Sequence, residues 1–320
     1  MRVVVALGGN AILPRGEPMT VVNQRAAIDR ACGPLATIAS QHELVVSHGN
    51  GPQVGLLALQ AAAYDSVSGY PFDVLGAQTE GMLGYLIEQG LGNATDNERV
   101  ITTLVTRTLV DPDDPAFADP TKFVGPVYDE AQARQCVTER GWVVKADGDG
   151  FRRVVPSPAP LRVLETQPVE WILDKGGVVI CAGGGGVPTT YASEAHLMAG
   201  VEAVVDKDLA SAVLARDIGA DLLIIATDVD GVYLDWGTPA RRRVARAHPD
   251  ALDDGEFPAG SMGPKVRAAQ QFAREGRGDA VIGSLDQLDD LFAGRAGTLV
   301  STAQVGLVTA DPAHVPSQRA

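Results

Sequence analysis

Residues 42–64, HELVVSHGNGPQVGLLALQAAAY, place three kinds of sequence in a row. HELVVS is a short aliphatic run with little alternation, the pattern of a strand buried on both faces. HGNGPQVG is a glycine-rich turn. LLALQAAAY is made of good helix formers. Strand, glycine turn, helix is therefore the local order, and it is the unit from which a parallel sheet is built.

The order recurs three times. RVVVAL (2–7) runs into GGNA (8–11), GGVVICA (176–182) into GGGGVP (183–188), and ADLLIIA (220–226) into TDVDGVY (227–233). Helical stretches are predicted at 22–40, 75–91, 160–175, 207–217 and 264–275. Such alternation predicts an α/β fold, a mostly parallel sheet with helices on both faces. Ligands of such sheets bind beyond the carboxyl ends of the strands, so the four turns are expected on one rim. Residues 111–160 break the rhythm with Pro- and Asp-rich sequence and a hairpin turning at Asp147–Gly150. They predict a small insertion over about 120–158 within one domain of residues 1–320. Residues 237–265 read as a long connection, and the tail 303–320 as loosely held.

The 320 residues suffice for a sizeable core, and 45% hydrophobic content is that of a globular chain. A net charge of −14 argues against nucleic acid or an anionic membrane as a partner. It leaves room for a small anion met by a local cluster of cations. Cys32, Cys136 and Cys181 are too few and scattered for a disulfide framework and suit a reducing cytoplasm. No signal peptide or membrane span is expected.

Turns such as Gly8-Gly9-Asn10 and Gly49-Asn50-Gly51 expose successive backbone N–H groups at helix starts, and two of them on neighbouring strands favour an anion site. Neither a Walker loop nor a G-x-G-x-x-G fingerprint is present. Gly183–Gly186 is either a close backbone approach or a ligand contact. His48 is either catalytic or a loop-fixing residue. The histidines and cysteines lack metal-ligand spacing, so no protein metal site is predicted. Of the 26 basic residues 21 are arginine, so the five lysines are candidates for places where a compact ammonium is needed, with Lys145 and Lys175 set aside for their unremarkable polar surroundings. Lys122, Lys207 and Lys265 each lie in or beside a turn. Phosphoryl transfer asks for this kind of equipment, positioning plus mobile positive charge. Lys207 sits where a helix starts, an unfavourable place for a cation. Asp206 and Asp208 flank it, and either can cap that helix. Asp228 and Asp230 are either turn residues or nucleotide contacts.

ALGGNA (6–11), SHGNGPQVG (47–55), DPAFADPTKFVGPVY (114–128), RRVVPSPAP (152–160), AGGGGVP (182–188), VDKDLAS (205–211), TDVDGVY (227–233) and GSMGPKV (260–266) together resemble the carbamate kinases of the amino-acid kinase superfamily, over nearly the whole chain. The resemblance implies a three-layer α/β/α sandwich with a small protruding subdomain, and a homodimer. It implies transfer of phosphoryl between ATP and carbamate, giving ADP and carbamoyl phosphate, with Mg²⁺ carried by the nucleotide and ATP synthesis as the working direction. Lys122 would come from the subdomain, Lys207 would bridge the phosphates, Lys265 would reach the nucleotide phosphates, and Asp208 would orient Lys207 and Lys265. Gly8, Gly9, Asn10, Gly49, Asn50 and Gly51 would hold acceptor and transferring phosphoryl oxygens within an acceptor part of about 1–200. Thr227, Asp228, Val229, Asp230, Tyr233, Ser261, Met262, Gly263 and Pro264 would line the nucleotide pocket in a part of about 201–302. Thr189–Thr190 departs from the pattern, where a more apolar pair is expected. The alternatives are a kinase of the same fold with another small acceptor, or a non-catalytic sensor of nucleotide or carbamoyl phosphate.

Overall fold

The computed structural model describes all residues except 15, 65–69, 192–196, 254–255, 259 and 311–320, and the side chains of residues 10, 62 and 126. Four parallel strands lie side by side at its centre; those ending at Leu7 and His48 lead through glycine turns into helices, whereas Val178–Ile180 and Leu222–Thr227 lead into further strands, Val187–Tyr191 and Tyr233–Leu234, so the expected strand–turn–helix order holds for two of the four. Strands Leu222–Thr227, Arg2–Leu7, Glu43–His48 and Val178–Ile180 are neighbours in that order and all parallel. Ile101–Thr103 closes one edge in parallel. Asp279–Ser284 extends the other side, followed by Thr298–Val300, Arg242–Ala247 and Tyr233–Leu234. Only pairs near that far edge are antiparallel.

Alternation of side chains along each strand builds the three layers. Val3, Val5, Leu7, Leu44, Val46, Leu222 and Ile224 face one core, shared with helices Val21–Gln41 and Phe72–Ala94. Val4, Val45, Leu223 and Ile225 face the other, with helices Lys207–Asp217 and Met262–Glu275. Both faces are covered, which is why these strands carry no polar alternation.

Three further local expectations are corrected. The predicted helix 160–175 is a strand, Pro160–Val163, followed by a shorter helix, Thr166–Leu173. Pro160–Val163 pairs antiparallel with Arg107–Val110, and this tertiary pairing outweighs the helix pattern. The connection 237–265 contains the strand Arg242–Ala247, whose arginines hid its β character. The tail is not loose throughout: Leu307–Thr309 pairs with that strand, and residues 311–320 lie outside the described ones.

Lys122–Tyr128, Gly150–Val155 and Val143–Asp147 form a separate three-stranded sheet. The helix Glu130–Arg140 packs on it behind an Asp129–Gln132 capping box. Arg153 fastens this unit to the main body. Its guanidinium lies 4.4 Å from the Trp142 ring and 4.7 Å from the Phe72 ring, and pairs with Glu202.

Candidate functional site

The parallel register puts the strand ends level. Leu7 stands beside both His48 and Ala226, so the chain leaves the sheet at Gly8, Gly49 and Thr227 along one rim. Gly8 N donates to Ala226 O and Gly49 N to Leu7 O, each at 3.0 Å. Helices then start at Gly9 and Gly51, so their first amides lack intrahelical acceptors. The turns are also in contact with each other: a Cβ on Gly49 would stand 3.4 Å from Gly9 N and 3.7 Å from Lys207 Cδ. The side chain of Asn10 lies outside the described ones.

The two aspartates around Lys207 have different duties. Asp206 is the N-cap of the helix Lys207–Asp217, with Oδ1 accepting from Asp208 N at 2.9 Å and Leu209 N at 3.4 Å. Its Oδ2 accepts from Lys122 Nζ at 2.7 Å, which ties the three-stranded unit to the rim. Asp208 is 3% exposed and is no cap. Its Oδ1 accepts from Lys207 Nζ and its Oδ2 from Lys265 Nζ at 3.0 Å. One buried carboxylate therefore holds two ammonium groups. Lys265 reaches it from the first turn of the helix Met262–Glu275. Behind Lys207, Ser211 Oγ donates to the Lys207 carbonyl, so Ser47 supplies the proton in the buried Ser47–Ser211 bond of 2.7 Å.

Electrostatics follow from this packing. Burial alone would raise the Asp208 carboxyl, but Lys207 and Lys265 override it and hold it well below the usual carboxylate range. Lys207 is lowered, because burial costs its ammonium more than Asp208 returns and Lys265 repels it. Lys265 is raised: burial opposes its charge, but Asp208 more than compensates. His48 is pushed down to about 4, chiefly by burial and also by Lys207, while its contact with Gly49 O opposes the shift. It is neutral near pH 7, and Nδ1 donates to Gly49 O at 3.1 Å. Of the two readings of His48, the loop-fixing one matches this geometry.

A cavity of about 820 Å³ opens beside Lys265. Gly8, Gly9, Thr227, Asp228, Val229, Tyr233, Ser261, Met262 and Lys265 line it. Asp230 stands behind the wall, accepting from Tyr233 Oη at 2.9 Å and facing Arg243 at 3.6 Å. Gly263 and Pro264 are buried in the helix Met262–Glu275 and do not line it. Gly49, Asn50, Gly51, Lys122, Lys207 and Asp208 do not line it. Sequence reasoning missed Trp236, Phe257 and Pro258, which also line it. Trp236 meets Tyr233 edge-on at 5.2 Å; a Tyr and a Trp three residues apart after an Asp-Gly turn was the available signal. A second cavity, about 880 Å³, lies along Arg267, Gln270 and Arg274 and includes none of the predicted site residues.

Gly183–Gly186 is a close backbone approach. Gly184, Gly185 and Gly186 all have positive φ, where side chains are strained. A Cβ on Gly184 would overlap the Asn50 amide, and one on Gly185 the Val205 carbonyl. The quartet thus supports Asn50 on one side and the approach to Asp206 on the other.

Comparison with known proteins places the chain in a family. The amino acid kinase family model matches residues 1–284. The carbamate kinase of Haemophilus influenzae is 54% identical over 307 residues, covering 96% of this chain and 99% of that protein. That of Rhizobium meliloti is 54% identical over 304 residues, covering 95% and 94%. Among solved structures, the carbamate kinase from Giardia lamblia bound to AMP-PNP superposes with a TM-score of 0.86 at 38% identity, covering 94% of this chain and 98% of that one.

Proposed function

The chain belongs to the amino acid kinase family and, within it, to the carbamate kinases, and from this we infer how its residues carry the reversible transfer ATP + carbamate ⇌ ADP + carbamoyl phosphate. The observation that carries the assignment of roles is the pairing of Lys207 and Lys265 on one buried carboxylate at the meeting of the glycine turns. A carbamate oxygen attacks the γ-phosphorus in line, and the bond to the bridging oxygen of ADP breaks. Carbamate is already an anion, so no proton has to be removed first and a neutral His48 is no obstacle. The requirements are alignment and positive charge that follows the shifting negative charge.

Lys207 spans the acceptor and the transferring phosphoryl group. Lys265, on the wall of the cavity, meets the nucleotide phosphates. Lys122 enters from the three-stranded unit. Asp208 aims Lys207 and Lys265 and touches no substrate. Gly8–Asn10 and Gly49–Gly51 hold phosphoryl and acceptor oxygens with backbone amides, within an acceptor part of residues 1–200. Thr227–Asp230, Tyr233 and Ser261–Pro264 shape the nucleotide part, residues 201–302, some of them from behind the wall. Mg²⁺ enters with the nucleotide, and both Asp208 oxygens are already engaged by Lys207 and Lys265. When bound, the ion offsets phosphate charge.

The working direction is ATP synthesis in catabolism, including arginine breakdown. A coupled assay supplied with carbamoyl phosphate, ADP and Mg²⁺ is expected to yield ATP; no ATP under any condition rejects the reading. Nucleotide binding without turnover would point to a sensor. Turnover with a different small acid in place of carbamate would point to another acceptor. Three free, buried cysteines suit a reducing cytoplasm. A homodimer is favoured by Val74, Met82 and Tyr85, apolar groups that the long helix Phe72–Ala94 leaves exposed. Sedimentation velocity should give twice the chain mass of 33.4 kDa; a monomer at micromolar concentration rejects it.

A further inference from the structure

Glu80 is a buried acid that the reaction does not use. It sits in the middle of the helix Phe72–Ala94 at 1% exposure, directly after Thr79. Both residues serve the rim. Thr79 Oγ1 accepts from Asn50 Nδ2 at 2.8 Å. Glu80 Oε2 accepts from Thr106 N at 3.0 Å and from Thr106 Oγ1 at 3.3 Å. Thr106 Oγ1 in turn accepts from Ala182 N at 2.8 Å, the residue that opens the glycine quartet. Glu80 and His48 also enclose Gly183 between them: a Cβ there would be 3.0 Å from Glu80 Cγ and 2.5 Å from His48 Nε2. Glu80 Oε1 is buried and has no hydrogen bond of good geometry; the Gly183 N–H is the backbone group that approaches the carboxyl besides Thr106.

An ionised carboxylate would not tolerate these surroundings. Among the described residues no cation acts on it. Its titratable neighbours are Glu165 before the helix Thr166–Leu173, Cys181 after the strand Val178–Ile180, and the neutral His48. Glu165 is itself a carboxylate, satisfied by Arg107 at 2.7 Å. A buried oxygen carrying negative charge with no well-formed hydrogen bond is among the costliest groups in a protein interior.

We propose that Glu80 is a positioning residue for phosphoryl transfer that works as an uncharged acid, holding the Gly183–Gly186 loop through Thr106 so that Asn50 and the Val205–Asp206 approach to Lys207 stay in place. The proposal rests on the kinase reading above for its activity arm only. The path is short: Glu80 to Thr106, Thr106 to the Ala182 amide, and the glycine loop to Asn50 and Val205. Burial pushes the Glu80 carboxyl up to about 8, although the Thr106 hydrogen bonds pull it down. Ionisation on the alkaline side then puts an unmatched charge beneath the loop.

The test compares Glu80→Gln and Glu80→Ala with the wild type from pH 5 to 9.5. Glutamine keeps the neutral shape and the acceptor oxygen. It is expected to preserve most of kcat at neutral pH and to lose the alkaline fall that the wild type shows around pH 8. Alanine is expected to lower kcat on the order of 10- to 100-fold, the scale of a slightly misplaced site, with KM changing less. Melting curves read the same charge without turnover. The folded-state value lies above the unfolded one, so the stability due to the neutral acid is complete below pH 4.5 and is lost as pH rises to about 8. The melting temperature of the wild type should therefore fall relative to Glu80→Gln across that window and run parallel to it above. Loss of kcat in Glu80→Gln as large as in Glu80→Ala, or melting curves that stay parallel from pH 5 to 9, overturns the proposal. Absence of turnover in the wild type would reject the kinase reading and leave the melting comparison to decide on Glu80.

Discussion

Lys207→Ala is expected to lower kcat on the order of 10²-fold or more, with KM for ADP changing far less. The Lys207 stem lies beside the Gly49 turn, which itself touches Gly9, and its ammonium donates to Asp208. The Lys207 side chain is 11% exposed. A charge so placed is preorganised: it needs no water shed and no rotamer chosen when the phosphoryl group moves. Lys207→Arg restores the charge but not the shape, since a planar guanidinium is wider than the slot between Gly49 and Asp208. It should therefore recover only a small part of the lost rate. Steady-state kinetics in the ATP-forming direction measure both variants. A Lys207→Ala enzyme within threefold of wild-type kcat would remove Lys207 from the reaction.

Asp208→Asn is expected to damage both stability and rate. Taking away one partner of a buried ion pair leaves the other unmatched, at a cost of about 3–5 kcal/mol. Here two ammonium groups are left facing each other, and their mutual repulsion is already felt by Lys207. The melting temperature should fall by several degrees, and kcat by at least ~10²-fold, because neither lysine is aimed. The sign with pH is fixed. The Asp208 carboxyl is depressed in the folded state, so its stabilisation is present above its unfolded value of 3.8 and is lost as pH falls below it. The gap between wild type and Asp208→Asn should thus narrow in that acid range. Adding Lys265→Ala to Asp208→Asn removes one of the two repelling charges, so part of the stability should return while the rate does not. If the double variant melts no higher than Asp208→Asn, charge is not what Asp208 supplies.

The central sheet was legible because its strands are buried on both faces, and continuous aliphatic runs ending in glycine turns have few other uses. The lysines stood out only against an arginine-rich background. The division of labour between Asp206 and Asp208 could not be read, since both flank Lys207 and either can reach a helix end. It depends on where Lys122 and Lys265 come from, 84 and 57 residues away in the chain. Glu80 was invisible for a related reason. Within AQTEGMLGY a glutamate in a helix looks solvated, and only the approach of Thr106 and Gly183 buries it. The strand Arg242–Ala247 was missed because long arginine stems can lie along a sheet while their charged ends stay in water.

Asp206 splits its carboxylate between two tasks, and the split has a dynamic meaning. One oxygen terminates the helix that carries Lys207; the other fastens Lys122. The fastening is half open to solvent on the lysine side, 36% exposed, and a pair of that kind is worth no more than about 1 kcal/mol. The cap is hidden and its acceptor oxygen is separate. The role proposed for Lys122 has it change partners, from a carboxylate to an arriving phosphate, like a hand moving from one rail to the next, and the separate cap oxygen lets it do so without loosening the helix on which Lys207 rides.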